Sequence, residues 1–230
     1  MIPWLEPGEP FPPVETALRE PNGLLAAGAD LSPARLVDAY ARGIFPWFNE
    51  EEPPLWWCPD PRMVVFASER RIPRSLRRVI RSGRFRVTMD TAFAAVVAGC
   101  AEPRLDQDGT WITPQIFEAY AELARLGFAH SVETWEGDEL VGGLYGVAIG
   151  RMFFGESMFA RRSDASKVAF VSMLARLESW GMPLVDCQVP TSHLASLGGR
   201  EIPRAEFLAQ VGALIRQPPV PSPWRFYNED

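Results

Sequence analysis

The stretch SVETWEGDELVGGLYGVAIGRMFFGES, Ser131–Ser157, decides the fold. Its segments Ser131–Trp135, Glu139–Ile149 and Arg151–Glu156 are short, apolar and closely spaced, which reads as strands following one another in hairpins. A long amphipathic helix over Asp164–Trp180, stopped by Gly181 and Pro183, leads into a further strand, Leu184–Val189. Hairpin strands mixed with crossover helices predict an α+β fold, a mixed sheet with helices packed on it.

Upstream, Met63–Ala67 reads as a strand and Pro73–Ser82, closed by Gly83, as a short helix with Leu76, Val79 and Ile80 inward. Phe85, Val87 and Met89 alternate with Arg84, Arg86 and Thr88, the pattern of a half-buried strand. Thr113 caps a helix opened by Pro114, with Ile116, Phe117, Tyr120, Leu123 and Ala124 at core-facing spacing. The first helix is Pro33–Arg42, capped by Ser32 and ended by Gly43, and the final one is Arg204–Ile215. Between Ile44 and Pro61 runs a loop with five large aromatics, Phe45, Trp47, Phe48, Trp56 and Trp57. A domain boundary is expected near Asp60–Arg62, dividing the chain into 1–62 and 63–230. Proline-rich ends (Pro3 to Pro13, Pro218 to Pro223) are expected to wrap the surface as extended arms.

With 230 residues, 47% hydrophobic, 23% charged and 11% aromatic, the chain has the makings of a sizeable core and not of a fibre or a disordered tail. No signal-like segment opens it and no run of about eighteen apolar residues occurs, so a cytoplasmic protein without a membrane is expected. Cys58, Cys100 and Cys187 are far apart, with only His130 and His193 beside them, which predicts neither a disulfide framework nor a zinc or other metal site. The net charge of −6 conceals an asymmetry. Arg70, Arg71, Arg74, Arg77, Arg78, Arg81, Arg84 and Arg86 lie in a segment with no acid, so this stripe carries +8 and the remainder −14. A solvated helix face explains such a stripe; so does phosphate contact, because guanidinium forks match phosphate oxygens and a local positive field steers polyanions.

Within Leu184–Val189, alternation puts Asp186 and Gln188 on one face, a carboxylate beside an amide in an otherwise apolar strand. A buried Asp must be paired or do chemistry; the pair either satisfies nearby backbone or orients and deprotonates an attacking amine. Glu156, at the exit of its own strand, is a second acid for the same cleft. No Gly-x-Ser-x-Gly elbow, phosphate-binding Gly-Lys loop, His-Glu-x-x-His helix or Gly-x-Gly-x-x-Gly turn is found. An enzyme of this kind would work by positioning and electrostatics on a substrate that arrives activated.

The stretches Glu20–Ala26, Arg42–Phe48, Trp56–Arg62, Gly109–Thr113, Gly155–Phe159 and Asp186–Val189, with His193–Gly198, closely resemble the leucyl/phenylalanyl-tRNA–protein transferase family, from about Phe11 to Val211. The resemblance implies a small N-terminal domain followed by an acetyltransferase-like (GNAT) domain. It implies a cytoplasmic enzyme that moves leucine or phenylalanine, less readily methionine, from aminoacyl-tRNA to proteins or peptides beginning with arginine or lysine, generating a degradation signal. By similarity Trp47 and Trp111 would sandwich the terminal adenine. Leu144, Phe153, Phe170, Met173 and Val185 would form the donor side-chain pocket, and Tyr120, Glu156, Asp186 and Gln188 the polar positions around ester and amine. Asp186, directly or through Gln188, would deprotonate the amine. Arg74, Arg77, Arg78, Arg81 and Arg84 would meet the tRNA acceptor stem. Thr191 stands where many relatives carry asparagine. No cofactor is implied. The acetyl-CoA-dependent alternative for the same fold lacks its Arg/Gln-x-x-Gly-x-Gly/Ala turn here, so coenzyme A is not an expected partner. A non-catalytic RNA-binding module, the other alternative, would bind tRNA and form no product.

Overall fold

Residues 2–103 and 110–226 are described in the computed structural model of the chain. Near the N-terminus, β1 (Trp4–Leu5), β2 (Leu24–Gly28), β3 (Phe45–Pro46) and β4 (Leu55–Trp57) form a four-stranded sheet in the order β1-β2-β4-β3, with α1 (Pro33–Ala41) between β2 and β3. The leading arm is therefore partly an edge strand, paired in parallel with β2. Ser32 caps α1 by accepting from the Arg35 amide, as its position before Pro33 predicts.

The remaining strands make one seven-stranded sheet. In chain order the elements are β5 (Arg62–Phe66), α2 (Arg74–Arg81), β6 (Arg86–Met89), α3 (Phe93–Ala101), α4 (Pro114–Arg125), β7 (Ala129–Glu136), β8 (Glu139–Ile149), β9 (Met152–Ala160), α5 (Ala165–Ser179), β10 (Leu184–Asp186), α6 (Ser192–Ser196), β11 (Arg200–Ile202) and α7 (Arg204–Leu214). Their order is β11-β5-β10-β9-β8-β7-β6. From β6 to β9 the strands are antiparallel, while β10 runs parallel to β9, because α5 crosses over and returns the chain to the same edge. This mixed sheet with helices on both faces is the α+β architecture expected.

Strand alternation divides the interior. Tyr145, Val147, Met152, Phe154 and Leu184 face α3, α4 and the N-terminal sheet; Leu144, Phe153 and Val185 face α5. Each fully buried side chain of this size contributes about 1.5–3 kcal/mol. In the middle of the sheet Gly146 is required by close approach: a Cβ there would lie 2.2 Å from the Phe154 carbonyl oxygen and 2.6 Å from Cζ of Phe153.

Four expectations change. The helix α5 is buried on most of its surface, Val168, Phe170, Val171, Met173, Leu174 and Leu177 included, so it is a core helix. Ile80 is exposed, since the short α2 touches the body through Leu76. The strand expected to end at Glu156 continues to Ala160. The strand expected to reach Val189 stops at Asp186. Helix α3 had no expectation attached to it: its N-cap is Ala92, without a side-chain cap, and its sequence is apolar around the whole circumference. Cys58, Cys100 and Cys187 are buried thiols.

Candidate active site

The site is built where β9 and β10 end side by side. Asp186 pairs in register with Phe154, so the last residue of β10 stands just short of Glu156 on β9. Glu156 itself is an extra residue: Tyr145 pairs with Ser157 and its neighbour Gly146 with Gly155, leaving Glu156 in a bulge. Bulges re-aim a side chain out of the regular alternation. Here the carboxyl is turned toward Tyr120 of α4, whose hydroxyl donates to Oε2 at 2.8 Å; the Tyr120 hydroxyl is in turn hydrogen-bonded to that of Tyr40 on α1. The second oxygen, Oε1, is buried with no partner among the described residues.

Burial pushes the Glu156 carboxyl from 4.5 up to about 8, opposed by its tyrosine hydrogen bonds and reinforced by the Asp186 charge. At neutral pH the Glu156 carboxyl is thus largely protonated, and a positive charge brought beside it would favour the carboxylate. The sign for stability follows. Between about pH 4.5 and 8 the folded chain retains a proton that the unfolded chain releases, so stability falls as pH rises through this window. Glu156→Gln removes that loss. Its Tm relative to the native chain is expected to climb between pH 5 and pH 8, by about 2–4 °C for each kcal/mol of linkage; a difference that stays constant across the window would contradict the protonated assignment.

Asp186 is fully buried and held in a two-pronged pair with Arg62: Nε to Oδ1 and Nη2 to Oδ2, both 2.7 Å. Arg62 is itself unexposed, its guanidinium 4.7 Å from the ring centres of Phe45 and Phe207, which offsets part of its desolvation. Oδ1 also accepts the Gln188 amide N–H at 3.0 Å. The expected side-by-side display of Asp186 and Gln188 on one strand face does not occur. After Asp186 the chain turns, Gln188 takes a left-handed φ of 57°, and its side-chain Nε2 donates to the Gly155 carbonyl at 2.6 Å. A non-glycine residue is kept there by over-determination: the Asp186 carboxylate on its N–H and the Met63 amide, donating at 3.2 Å, on its carbonyl. Asp186 is unexposed and absent from the walls of the adjoining cavity, and Gln188 is the member of the pair that lines it.

That cavity measures about 970 Å³, and its walls include Trp47, Trp111, Glu156, Gln188, Thr191 and His193. A recess of about 90 Å³ leads off it, lined by Leu144, Tyr145, Phe153, Phe170 and Met173, and shares Glu156, Ser157, Met158, Cys187, Gln188 and Leu194 with the main space. Four of the five expected donor-pocket residues meet here. Val185 is not among these walls: it is fully buried beside Phe153, on the same face of the sheet. Trp47 is half exposed and Trp111 partly buried, on the same cavity; Gly109 of the Gly109–Thr113 motif lies outside the described residues. Thr191 spends its hydroxyl capping α6, accepting from the Leu194 amide at 3.1 Å, a task asparagine performs as well. His193 presents a buried Nε2 without a partner among the described residues, and burial, then Lys167, hold its imidazole below the ordinary range.

Two family models match this sequence, "Leucyl/phenylalanyl-tRNA protein transferase" over residues 64–212 and the N-terminal domain of the same transferase over residues 29–60. The chain belongs to the leucyl/phenylalanyl-tRNA protein transferase family. It is 57% identical over 226 residues to the transferase of Laribacter hongkongensis, covering 98% of this chain and 97% of the relative. It is 58% identical over 224 residues to that of Aromatoleum aromaticum, covering 97% and 94%. Among solved structures, a GCN5-related N-acetyltransferase from Kribbella flavida covers 75% of this chain and 61% of its own at 11% identity and a TM-score of 0.38, a likeness too remote to bear on function.

As a member of the leucyl/phenylalanyl-tRNA protein transferases the chain is an aminoacyltransferase. Arg74, Arg77, Arg78 and Arg81 on α2 are exposed, and no acid of the described residues pairs with them. Arg84 differs: its Nε donates to Glu136 at 2.7 Å. Among the described residues no helix is long and apolar enough to cross a membrane, and no group of three His, Cys, Asp or Glu is placed to hold a metal. Sequence reading passed over Arg62, Tyr40 and Tyr145, whose roles appear only when distant elements meet.

Proposed function

We propose that this transferase moves leucine or phenylalanine, and less readily methionine, from the ester of its tRNA to the α-amine of a protein or peptide beginning with arginine or lysine, in the cytoplasm. One observation supports this reading above others: an apolar recess sized for a side chain opens beside two polar groups, Glu156 and Gln188, in a cavity that also carries two indoles. In this reading Leu144, Phe153, Phe170 and Met173 receive the donor side chain. A greasy pocket discriminates by volume and tolerates both leucine and phenylalanine. Trp47 and Trp111 take the terminal adenine, a stacking interaction worth about 1–3 kcal/mol per base.

The amine nitrogen attacks the ester carbonyl carbon, the carbon–oxygen bond to the tRNA ribose breaks, and the amine's proton ends on the departing 3′ oxygen. The ester is already activated, so no covalent enzyme intermediate and no cofactor are asked for. Gln188 holds the amine and the reacting carbonyl in line; Asp186 is a positioning residue that fixes Gln188 through its amide N–H. Glu156 faces the acceptor's positive residue. The division at 62/63 belongs to the same proposal: residues 1–62 supply Phe45, Pro46, Trp47 and Asn49 to a cavity whose other walls come from residues 63–230.

The test is transfer of labelled phenylalanine from Phe-tRNA to a peptide beginning with arginine, with a serine-initiated peptide as control. Product with the first and none with the second is expected; no product from folded protein would overturn the proposal. For the stripe, the double charge reversal R77E/R78E is expected to raise the KM for tRNA at least about tenfold at low salt and to flatten the log–log salt dependence by about two units or more. Unchanged values would remove α2 from the tRNA interface.

A further inference from the structure

The tail beyond α7 carries an indole that the family models, ending at residue 212, do not reach. Trp224 is 1% exposed. Its ring stacks on the buried His130 imidazole with centroids 3.7 Å apart and planes within 4°, and meets Trp180 edge-on at 5.2 Å. Its main-chain N–H donates to Asp90 Oδ2 at 2.6 Å, the oxygen that also meets His130 Nδ1 at 2.8 Å. The other Asp90 oxygen accepts the Ser131 amide, and the carbonyl of the next tail residue, Arg225, accepts from Arg176 Nε and Nη2 at 3.1 and 2.7 Å. Backbone and ring of the tail are thus both seated, on β7 and α5.

Phe153 connects this seat to the site. Its ring lies 5.8 Å from that of Trp224 and also lines the 90 Å³ recess. On another side it is pressed by Gly146, where a Cβ would stand 2.6 Å from Cζ. β8 closes that direction, and the Trp224 indole stands against the ring on the side of the tail.

We propose that Trp224 is a positioning residue that holds the Phe153 wall in place and thereby sets the size of donor side chain accepted. The inference rests on reading the recess as the donor seat. Interiors are close-packed, so removing the indole leaves room into which Phe153 moves, deepening the recess.

The experiment uses the full chain with Leu-tRNA and Phe-tRNA as donors and one arginine-initiated peptide as acceptor. Trp224→Leu is expected to raise the ratio of kcat/KM for phenylalanine over leucine by about five- to tenfold, with the KM for the peptide unchanged. Trp224→Phe, which keeps an aromatic ring in the seat, is expected to shift the ratio the same way by a smaller factor, and it decides alone if Trp224→Leu does not fold. A ratio unchanged in the folded variants, or an equal fall for both donors, is the signature of a stabilising contact only and overturns the proposal. A native chain that transfers neither amino acid would instead overturn the reading of the recess itself.

Discussion

Arg62→Met should destabilise the protein by about 3–5 kcal/mol, because it strands the fully buried Asp186 carboxylate without its partner. In a chain of 230 residues this is a fall of roughly 10 °C in Tm, at about 2–4 °C per kcal/mol. The charge has nowhere to go: Asp186 has no exposure, and among the described residues only the Gln188 amide N–H remains to donate to it. Replacing both members, Arg62→Met with Asp186→Leu, should recover much of the loss, since an apolar pair of similar volume sidesteps the desolvation of two ions. Thermal unfolding of the single and double variants checks this. Equal losses in both would mean that the pair is valued for its shape and not for its charge balance. The double variant is nevertheless expected to transfer poorly, because the left-handed turn at Gln188 then keeps only the Met63 amide of its two backbone partners.

The second large effect belongs to Gln188. Its side chain lines both the cavity and the recess, and its backbone is clamped by Asp186 and Met63. A pre-set polar group at a reacting carbonyl is worth about 10²–10³ in kcat. Gln188→Ala should therefore lower kcat by that factor while leaving the KM for tRNA within about twofold, since the proposal assigns the tRNA to the indoles and to α2. Stability should change little, because the backbone clamp survives and one amide-to-carbonyl bond, Nε2 to Gly155, is lost. Single-turnover rates at saturating tRNA separate the two quantities. A loss confined to KM would move Gln188 from the reacting centre to general binding.

Much of this architecture was legible because it is written locally. Ser32 before Pro33 and Thr113 before Pro114 mark two helix starts that the structure keeps, with both hydroxyls accepting the amide three residues on. The hairpin strands show in the apolar runs from Ala129 to Ala160. What was not legible depends on meetings between distant residues. Nothing in the local sequence joins Asp186 to Arg62, 124 residues away, whose guanidinium meets both of its carboxylate oxygens. Strand periodicity then failed at Gln188, because the φ there is imposed by that pair and not by any local turn residue. The bulge at Glu156 likewise has no signature in β9 alone; it arises from register against β8. Val185 was assigned to the donor pocket by likeness; it shares the sheet face of Leu144 and Phe153, beside Phe153 in register, and is absent from the recess walls.

The central claim is that one cavity seats the donor side chain in the Leu144, Phe153, Phe170 and Met173 recess while its indoles take the terminal base. The most direct measurement is a crystal structure with a non-hydrolysable phenylalanyl-adenosine amide. The account expects the phenyl ring in that recess, the adenine within about 4 Å of both Trp47 and Trp111, and the amide carbonyl beside Gln188. A ligand with its adenine away from the two indoles, or with its phenyl ring outside the recess, would contradict it.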